Sequence, residues 1–366
     1  MPRKTEETIT SFKIWDRESE ETEVHELEKY VVDGEEEGPH IVVVSGSHGD
    51  ELLAIDAAKQ VYRSLDVEEV AGKVSFVPEA NMFAVAKGTR ETPVPEFEIY
   101  EDEERNLNRC FSSVDLDEGV DGNLTQRLAY HILELVADAD YCFDLHTATA
   151  PGYKINQIRE KTDRRFDSEV RREQERLVRN SGVSYVLRTS SEDIGRGVLA
   201  GVAPGYGVPT VTVEIGGGMY TTTEIEEYVD VVENLLSTAG VLEGEEKGEE
   251  PGLMEKLRRG SGDGQRVYRD LVKISAPTAG SYTKAAPPGE TIEKGEVLGR
   301  IENDEGVHEV ESPCDGLVES VHREEWVNEG TKLGHIAIRE EMDPVTHFFR
   351  ALSRILDSLL SRASGS

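Results

Sequence analysis

Two histidines and a glutamate carry the first chemistry that can be read from this chain. His48 and Glu51 stand three residues apart in Ser45-Gly46-Ser47-His48-Gly49-Asp50-Glu51, directly after the apolar run Ile41 to Val44. His146 follows a second apolar run, Tyr141-Cys142-Phe143, in Asp144-Leu145-His146-Thr147. Two imidazoles and one carboxylate make a catalytic zinc set with a coordination position left for water. Other divalent metals accept the same nitrogen and oxygen donors. A lone His-x-x-Glu is also an ordinary turn sequence. Its place after a buried strand, inside a Gly-flanked turn, and the second strand-end histidine favour the metal. Asp144 reads either as the orienter of a ligand imidazole or as a side chain facing away from it.

A further carboxylate, Glu214, lies in Thr210-Val211-Thr212-Val213-Glu214-Ile215-Gly216-Gly217-Gly218. Alternation puts Val211 and Val213 on one face and Thr212 and Glu214 on the other. Burying such an acid is costly unless it is paired. Glu214 therefore reads either as a proton-transfer group beside a metal or as a solvent-facing acid; spacing alone leaves both open. Asn106-Leu107-Asn108-Arg109-Cys110-Phe111 offers a guanidinium fork that matches a carboxylate, with Asn108 as a supplement. A surface salt bridge explains Arg109 equally well. Cys142 and His146 raise a thiol-hydrolase reading, but no activated pair is evident and Cys142 reads as a buried strand residue.

The elements that must position these groups follow from periodicity. Residues 8–12 fit an edge strand, 41–44 a buried strand, 51–65 a helix and 73–77 the next strand. Residues 78–87 read as a loop and 96–104 as a solvated acidic loop. A helix over 125–137 precedes a strand over 141–145. A charged helix covers 163–179, strands cover 183–187 and 210–215, and a helix covers 224–236. Strands alternating with helices predict an α/β unit with a mixed, largely parallel sheet flanked by helices, its ligands at strand ends. Composition changes at Glu243 to Pro251, which marks a boundary. Beyond it, short β-prone pieces alternate with Gly and Pro turns over 265–338, predicting a β-rich, barrel-like unit. Residues 345–360 fit an amphipathic tail helix. The expected domains are 1–242, a linker 243–262, a second domain 263–340, and a helix and tail over 341–366.

Bulk properties bound the rest. The chain has 366 residues and 37% apolar content, enough for sizeable cores. There are 74 acidic against 40 basic residues, a net charge of -34, spread along the whole length. That surface is screened by salt and points to a salt-loaded, halophilic cytoplasm. It also disfavours nucleic acid, which needs a basic footprint. No run of eighteen apolar residues and no apolar N-terminal segment occurs, so neither a membrane span nor a signal is expected. The three cysteines fit no disulfide framework, in keeping with a cytoplasmic protein. A homo-oligomer stays open.

Taken in order, these motifs resemble the succinylglutamate desuccinylase/aspartoacylase family, over most of residues 38–335. Gly46-Ser47-His48-Gly49-Asp50-Glu51 matches the Gly-x-His-Gly-x-Glu motif, which implies His48 and Glu51 as zinc ligands. The strand-end His146 corresponds to the third ligand. The Val-Glu-Ile-Gly pattern implies Glu214 as general base and acid. Asn108 and Arg109 match the residues that hold the substrate carboxylate. Where the family has Asp-Leu-Asn-Arg, this chain has Asn106. The further cations Arg105, Lys87, Arg90, Arg159, Arg164 and Arg196 are not resolved by the resemblance. It implies a zinc-carboxypeptidase-like fold, one zinc ion per chain, and hydrolysis of a small anionic N-acyl amino acid. A zinc carboxypeptidase acting on peptides and a non-enzymatic, metal-stabilised anion-binding module are the competing readings. In the second domain, Ser312-Pro313-Cys314-Asp315-Gly316-Leu317-Val318 and Lys294-Gly295-Glu296-Val297-Leu298 look like parts of lipoyl or biotinyl barrels, without a Met-Lys-Met carrier sequence.

Overall fold

The computed structural model describes residues 2–16, 21–93, 105–119, 122–149, 151–190, 197–217, 220–242 and 265–339. The acidic loop at 96–104, the whole linker at 243–262, the tail helix at 345–360 and Arg196 fall outside the described residues.

The strands are β1 (Arg3–Asp16), β2 (Glu21–Asp33), β3 (Glu36–Val44), β4 (Ala71–Val77), β5 (Tyr141–Ala148), β6 (Gly152–Thr162), β7 (Tyr185–Ser190) and β8 (Thr210–Gly217). They continue with β9 (Arg266–Ser275), β10 (Gly280–Lys284), β11 (Thr291–Ile292), β12 (Val297–Asn303), β13 (Gly306–Glu311), β14 (Gly316–His322), β15 (Trp326–Val327) and β16 (Lys332–Arg339). The helices are α1 (Leu52–Ser64), α2 (Met82–Lys87), α3 (Leu107–Cys110), α4 (Leu124–Ala137), α5 (Ser168–Asn180), α6 (Leu199–Val202) and α7 (Thr222–Ala239).

One sheet of twelve strands runs through the molecule in the order β1-β2-β4-β3-β5-β8-β6-β7-β9-β16-β14-β11. Its centre, β4-β3-β5-β8, is parallel. The β1-β2 hairpin joins β4 antiparallel, and β6 runs antiparallel to β8. The sheet is thus mixed, with its parallel block where the ligand-bearing strands lie. β1 forms one edge, as residues 8–12 suggested.

The central strands are buried on both faces, so they read as apolar runs rather than as alternating ones. Ile41, Val43, Phe143, Leu145, Val211 and Val213 pack with α1, α5 and α7. Val42, Val44 and Cys142 pack with α4 on the opposite face. Each such side chain removed from water contributes roughly 1.5–3 kcal/mol. Capping fixes the helix ends: Asn123 with Gln126 and Thr221 with Glu224 form reciprocal capping boxes at α4 and α7.

One expectation is corrected. Residues 78–87 are not loop throughout, because Met82–Lys87 forms the short helix α2. The Asn81 side chain accepts from Ala84 N–H at its start, and Gly88 ends it in the left-handed region at φ 62°. Six residues are too few to show a helical period in sequence.

The second unit holds its own core, including Ile274, Tyr282, Ile292, Ile301, Val318, Leu333 and Ile336, beneath a four-stranded sheet β13-β12-β10-β15. Among the described residues no helix is long and apolar enough to cross a membrane.

Candidate active site

His48 and Glu51 sit in the connection from β3 to α1. The turn is tight: a Cβ on Gly49 would lie 2.0 Å from the Ala84 carbonyl carbon, so only glycine lets this loop press against α2. Glu51 occupies the N-cap position of α1 but makes no side-chain cap bond. Its carboxylate is committed elsewhere. His48 Nδ1 lies 2.8 Å from Oε1, and His146 Nδ1, delivered by the end of β5, lies 2.8 Å from Oε2. Thr147 N–H donates to Oε2 at 3.2 Å, and Arg90 reaches Oε1 at 3.1 Å. All three residues are buried, and their ligand atoms lie within 4.8 Å of one another.

The donor set fits a divalent metal on the positions of the ring protons. His48 Nε2 lies 3.1 Å from Asn106 Oδ1, and His146 Nε2 lies 3.1 Å from Asp144 Oδ1. The His48 ring can therefore keep its proton on Nε2 and turn its Nδ1 lone pair toward Glu51, the arrangement a ligand imidazole needs, whereas His146 Nε2 is faced by both Asn108 Nδ2 and Asp144 Oδ1. Electrostatics agree. Burial opposes charge on Glu51, yet His48 and His146 hold its carboxyl well below the usual range. Burial likewise opposes a charged His146, but Asp144 and then Glu51 push its imidazolium up to about 10. The cluster stabilises positive charge at one buried point.

Glu214 arrives from the neighbouring strand, in direct register with His146. Val211, Val213 and Ile215 face the helix-covered core, and Glu214 faces the site side, as alternation required. Tyr228 of α7 ties the two strands together by donating to the carbonyls of His146 and Val213 at 2.8 and 2.9 Å. Glu214 is buried and doubly paired, with Arg159 at 3.0 Å and with Lys154. Burial opposes its charge; Arg159 and then Lys154 bring its pKa below the usual carboxylate value. It is ionised at neutral pH.

Asn106 and Asn108 lie against the same cluster. Asn106 caps α3 by accepting from Asn108 N–H at 3.0 Å while also facing His48. Asn108 is buried, with Nδ2 3.1 Å from His146 Nε2 and Oδ1 accepting from Leu199 N–H at 3.0 Å. Gly197 permits this approach, since a Cβ there would lie 1.8 Å from the Arg109 carbonyl oxygen. The Arg109 side chain is exposed, with Nη1 donating to the Asn108 carbonyl at 2.6 Å. Cys142 is buried, and burial followed by Asp144 raises its thiol pKa well above normal, so it is no thiolate nucleophile.

Sequence reasoning left several participants unassigned. Arg90 and Arg159 were two cations among several, and the structure sets them on Glu51 and Glu214. Lys154 was missed altogether, as was its strand. Between Lys154 and Gln157, β6 carries one extra residue relative to β8. That bulge reverses side-chain parity, so Lys154 and Arg159 both reach Glu214 although one number is even and the other odd.

Residues 37–239, more than half of the chain, match the succinylglutamate desuccinylase/aspartoacylase catalytic domain. The chain belongs to that family. Residues 272–336 match the biotin/lipoyl domain described as that of biotin-requiring enzymes. Over 269 residues the chain is 26% identical to the N-alpha-acetyl-L-2,4-diaminobutyric acid deacetylase of Halomonas elongata, covering 72% of this chain and 71% of that one. Its fold is similar to a succinylglutamate desuccinylase/aspartoacylase of Rhodobacter sphaeroides, with a TM-score of 0.74, 22% identity, and coverage of 93% of this chain and 96% of that chain. The product-bound ectoine utilization protein EutE of Ruegeria pomeroyi gives a TM-score of 0.74 at 19% identity, covering 92% of this chain and 95% of that chain.

Proposed function

We propose that this family member is a zinc-dependent deacylase that hydrolyses the amide bond of a small, anionic N-acyl amino acid. The observation that carries the reading is the convergence of His48, Glu51 and His146 at one buried point, with Glu214 in register beside it. The family assignment and the deacetylase relative support the reaction class. In this reading the catalytic unit spans 1–242 in a carboxypeptidase-like arrangement. The linker spans 243–262, the β-rich unit 263–340, and each chain holds one ion.

His48, Glu51 and His146 would hold zinc, which when bound supplies Lewis acidity toward the acyl carbonyl. Asn106 holds the His48 ring, and Asn108 and Asp144 flank Nε2 of His146. Glu214 accepts a proton from the attacking water and returns one to the departing amine. Its ionised state in the fold leaves it ready for the first of these transfers. Arg109, with Asn108, anchors the substrate carboxylate, and the fork of Arg159 keeps Glu214 in place.

The test uses zinc-loaded full-length protein in high salt with a panel of N-acetyl and N-succinyl amino acids, N-acetyl-2,4-diaminobutyrate among them, and reads release of free amine. Turnover should disappear on chelation and return with zinc. Glu214→Gln should lose about 10²–10⁴-fold in kcat while still binding zinc. Wild-type turnover that survives complete metal removal, or a Glu214→Gln variant near wild-type rate, refutes the mechanism.

A further inference from the structure

The β-rich unit reaches the catalytic centre through one buried carboxylate. β14 pairs antiparallel with β6, aligning Ser320 with Lys154, Val321 with Tyr153 and His322 with Gly152. Just before this seam, β14 carries one extra residue opposite β16: Val318 pairs with Ile336, and Ser320 with His335. The inserted residue is Glu319. A bulge at this point re-aims its side chain away from the ordinary alternation.

Glu319 is fully buried, at 0% exposure. Its Oε1 accepts from Gln157 Nε2 and lies 3.2 Å from Arg159 Nη2. Its Oε2 lies 3.4 Å from His335 Nδ1. Arg159 is thereby shared: Nη2 faces Glu319 from the second unit, and Nη1 faces Glu214 at 3.0 Å. Gln157, which holds Glu319, is also the register partner of Glu214. A buried acid is costly unless its partners repay it. Two of its partners, Gln157 and Arg159, are the neighbours of Glu214, and the third, His335, belongs to its own unit.

We propose that Glu319 is a positioning residue for the catalytic carboxylate: it fixes one arm of Arg159 so that the other arm holds Glu214 in place beside the His48–Glu51–His146 cluster. This rests on the deacylase reading.

A double-mutant cycle tests it, using full-length zinc-loaded protein and the best substrate of the panel. Glu319→Gln keeps the side-chain shape and removes the charge. It should lower kcat about tenfold, leave KM within twofold, and leave zinc stoichiometry at the wild-type value. In an Arg159→Met background the same change should cost less than twofold, because the arm it fixes is gone. An equal loss in both backgrounds, or no loss with Arg159 present, overturns the proposal. If Glu319→Gln fails to fold, Gln157→Leu removes the amide that fixes Glu319 without touching a charge; kcat must then fall at constant KM, and an unchanged kcat overturns the proposal. Wild-type turnover separates the two ideas. Its absence across the panel sinks the deacylase reading, whereas strong wild-type turnover that Glu319→Gln leaves intact sinks this inference alone.

Discussion

Replacing Asn106 by alanine removes one oxygen with two duties. Oδ1 faces His48 Nε2 at 3.1 Å and accepts from Asn108 N–H at 3.0 Å. The first contact sets which His48 nitrogen carries the proton and how the ring points. Loss of such an outer partner costs about 10–100-fold in metal affinity, equivalent to about 1.4–2.8 kcal/mol. The second contact is an N-cap, worth about 0.5–2 kcal/mol of stability. Asn106→Ala should therefore weaken zinc binding by one to two orders of magnitude and lower the urea midpoint as well. Asn106→Asp keeps the acceptor and adds charge, so it should bind zinc at least as tightly as the wild type. The assay is competition of metal-free protein against a chromogenic chelator, with urea unfolding in parallel. If Asn106→Ala keeps zinc affinity within twofold of wild type while its stability falls, the oxygen is only a cap and the orientation argument fails.

Two further perturbations are read from geometry and charge. Gly49→Ala would place its Cβ 2.0 Å from the Ala84 backbone, so the loop must move; a stability loss of about 1–3 kcal/mol and weakened zinc binding should appear together in thermal melts and chelator titrations, and a wild-type melt would contradict the packing. His40 is half-buried beside Ser75, 3.0 Å from its hydroxyl, and burial followed by Lys73 lowers its pKa from 6.5 to about 4. Its folded pKa is depressed, so its contribution to stability is whole above pH 6.5 and is lost as pH falls toward 4. Partial exposure of the ring limits that loss to about 1–2 kcal/mol. Urea midpoints of wild type and His40→Asn should diverge more at pH 8 than at pH 4.5, and a difference independent of pH would refute the assignment.

The strands that deliver His48 and His146 were legible as apolar runs closed by a polar group, and the strand that delivers Glu214 by its Thr-Val alternation. Central strands buried on both faces leave that signature. β6 was not legible. Its site-facing positions are Lys154, Gln157 and Arg159, and the two cations among them pair with Glu214 and Glu319, distant in sequence. Its bulge also breaks the alternation by which a strand is recognised. Glu319 was hidden for the same reason: one acid among 74 in a chain carrying acids everywhere, its meaning set by a register shift. The expectation of a largely parallel sheet came from alternating strands and helices. It held for the central block and for β6-β7-β9, and failed at hairpins such as β1-β2 and at the reversal between β8 and β6, which carry no marker that distinguishes them from crossovers.

The twelve-stranded sheet has a practical consequence for anyone wishing to work with half of this molecule. β7 hydrogen-bonds to β9, and part of β6 to β14, so the boundary between the units is crossed by ladder bonds as well as by side chains. Cutting the chain between them would strip β7 and the start of β6 of their neighbours and offer bare backbone amides and carbonyls to any passing strand. Such a fragment should self-associate, and excision or domain exchange would need a new edge designed along with the new partner.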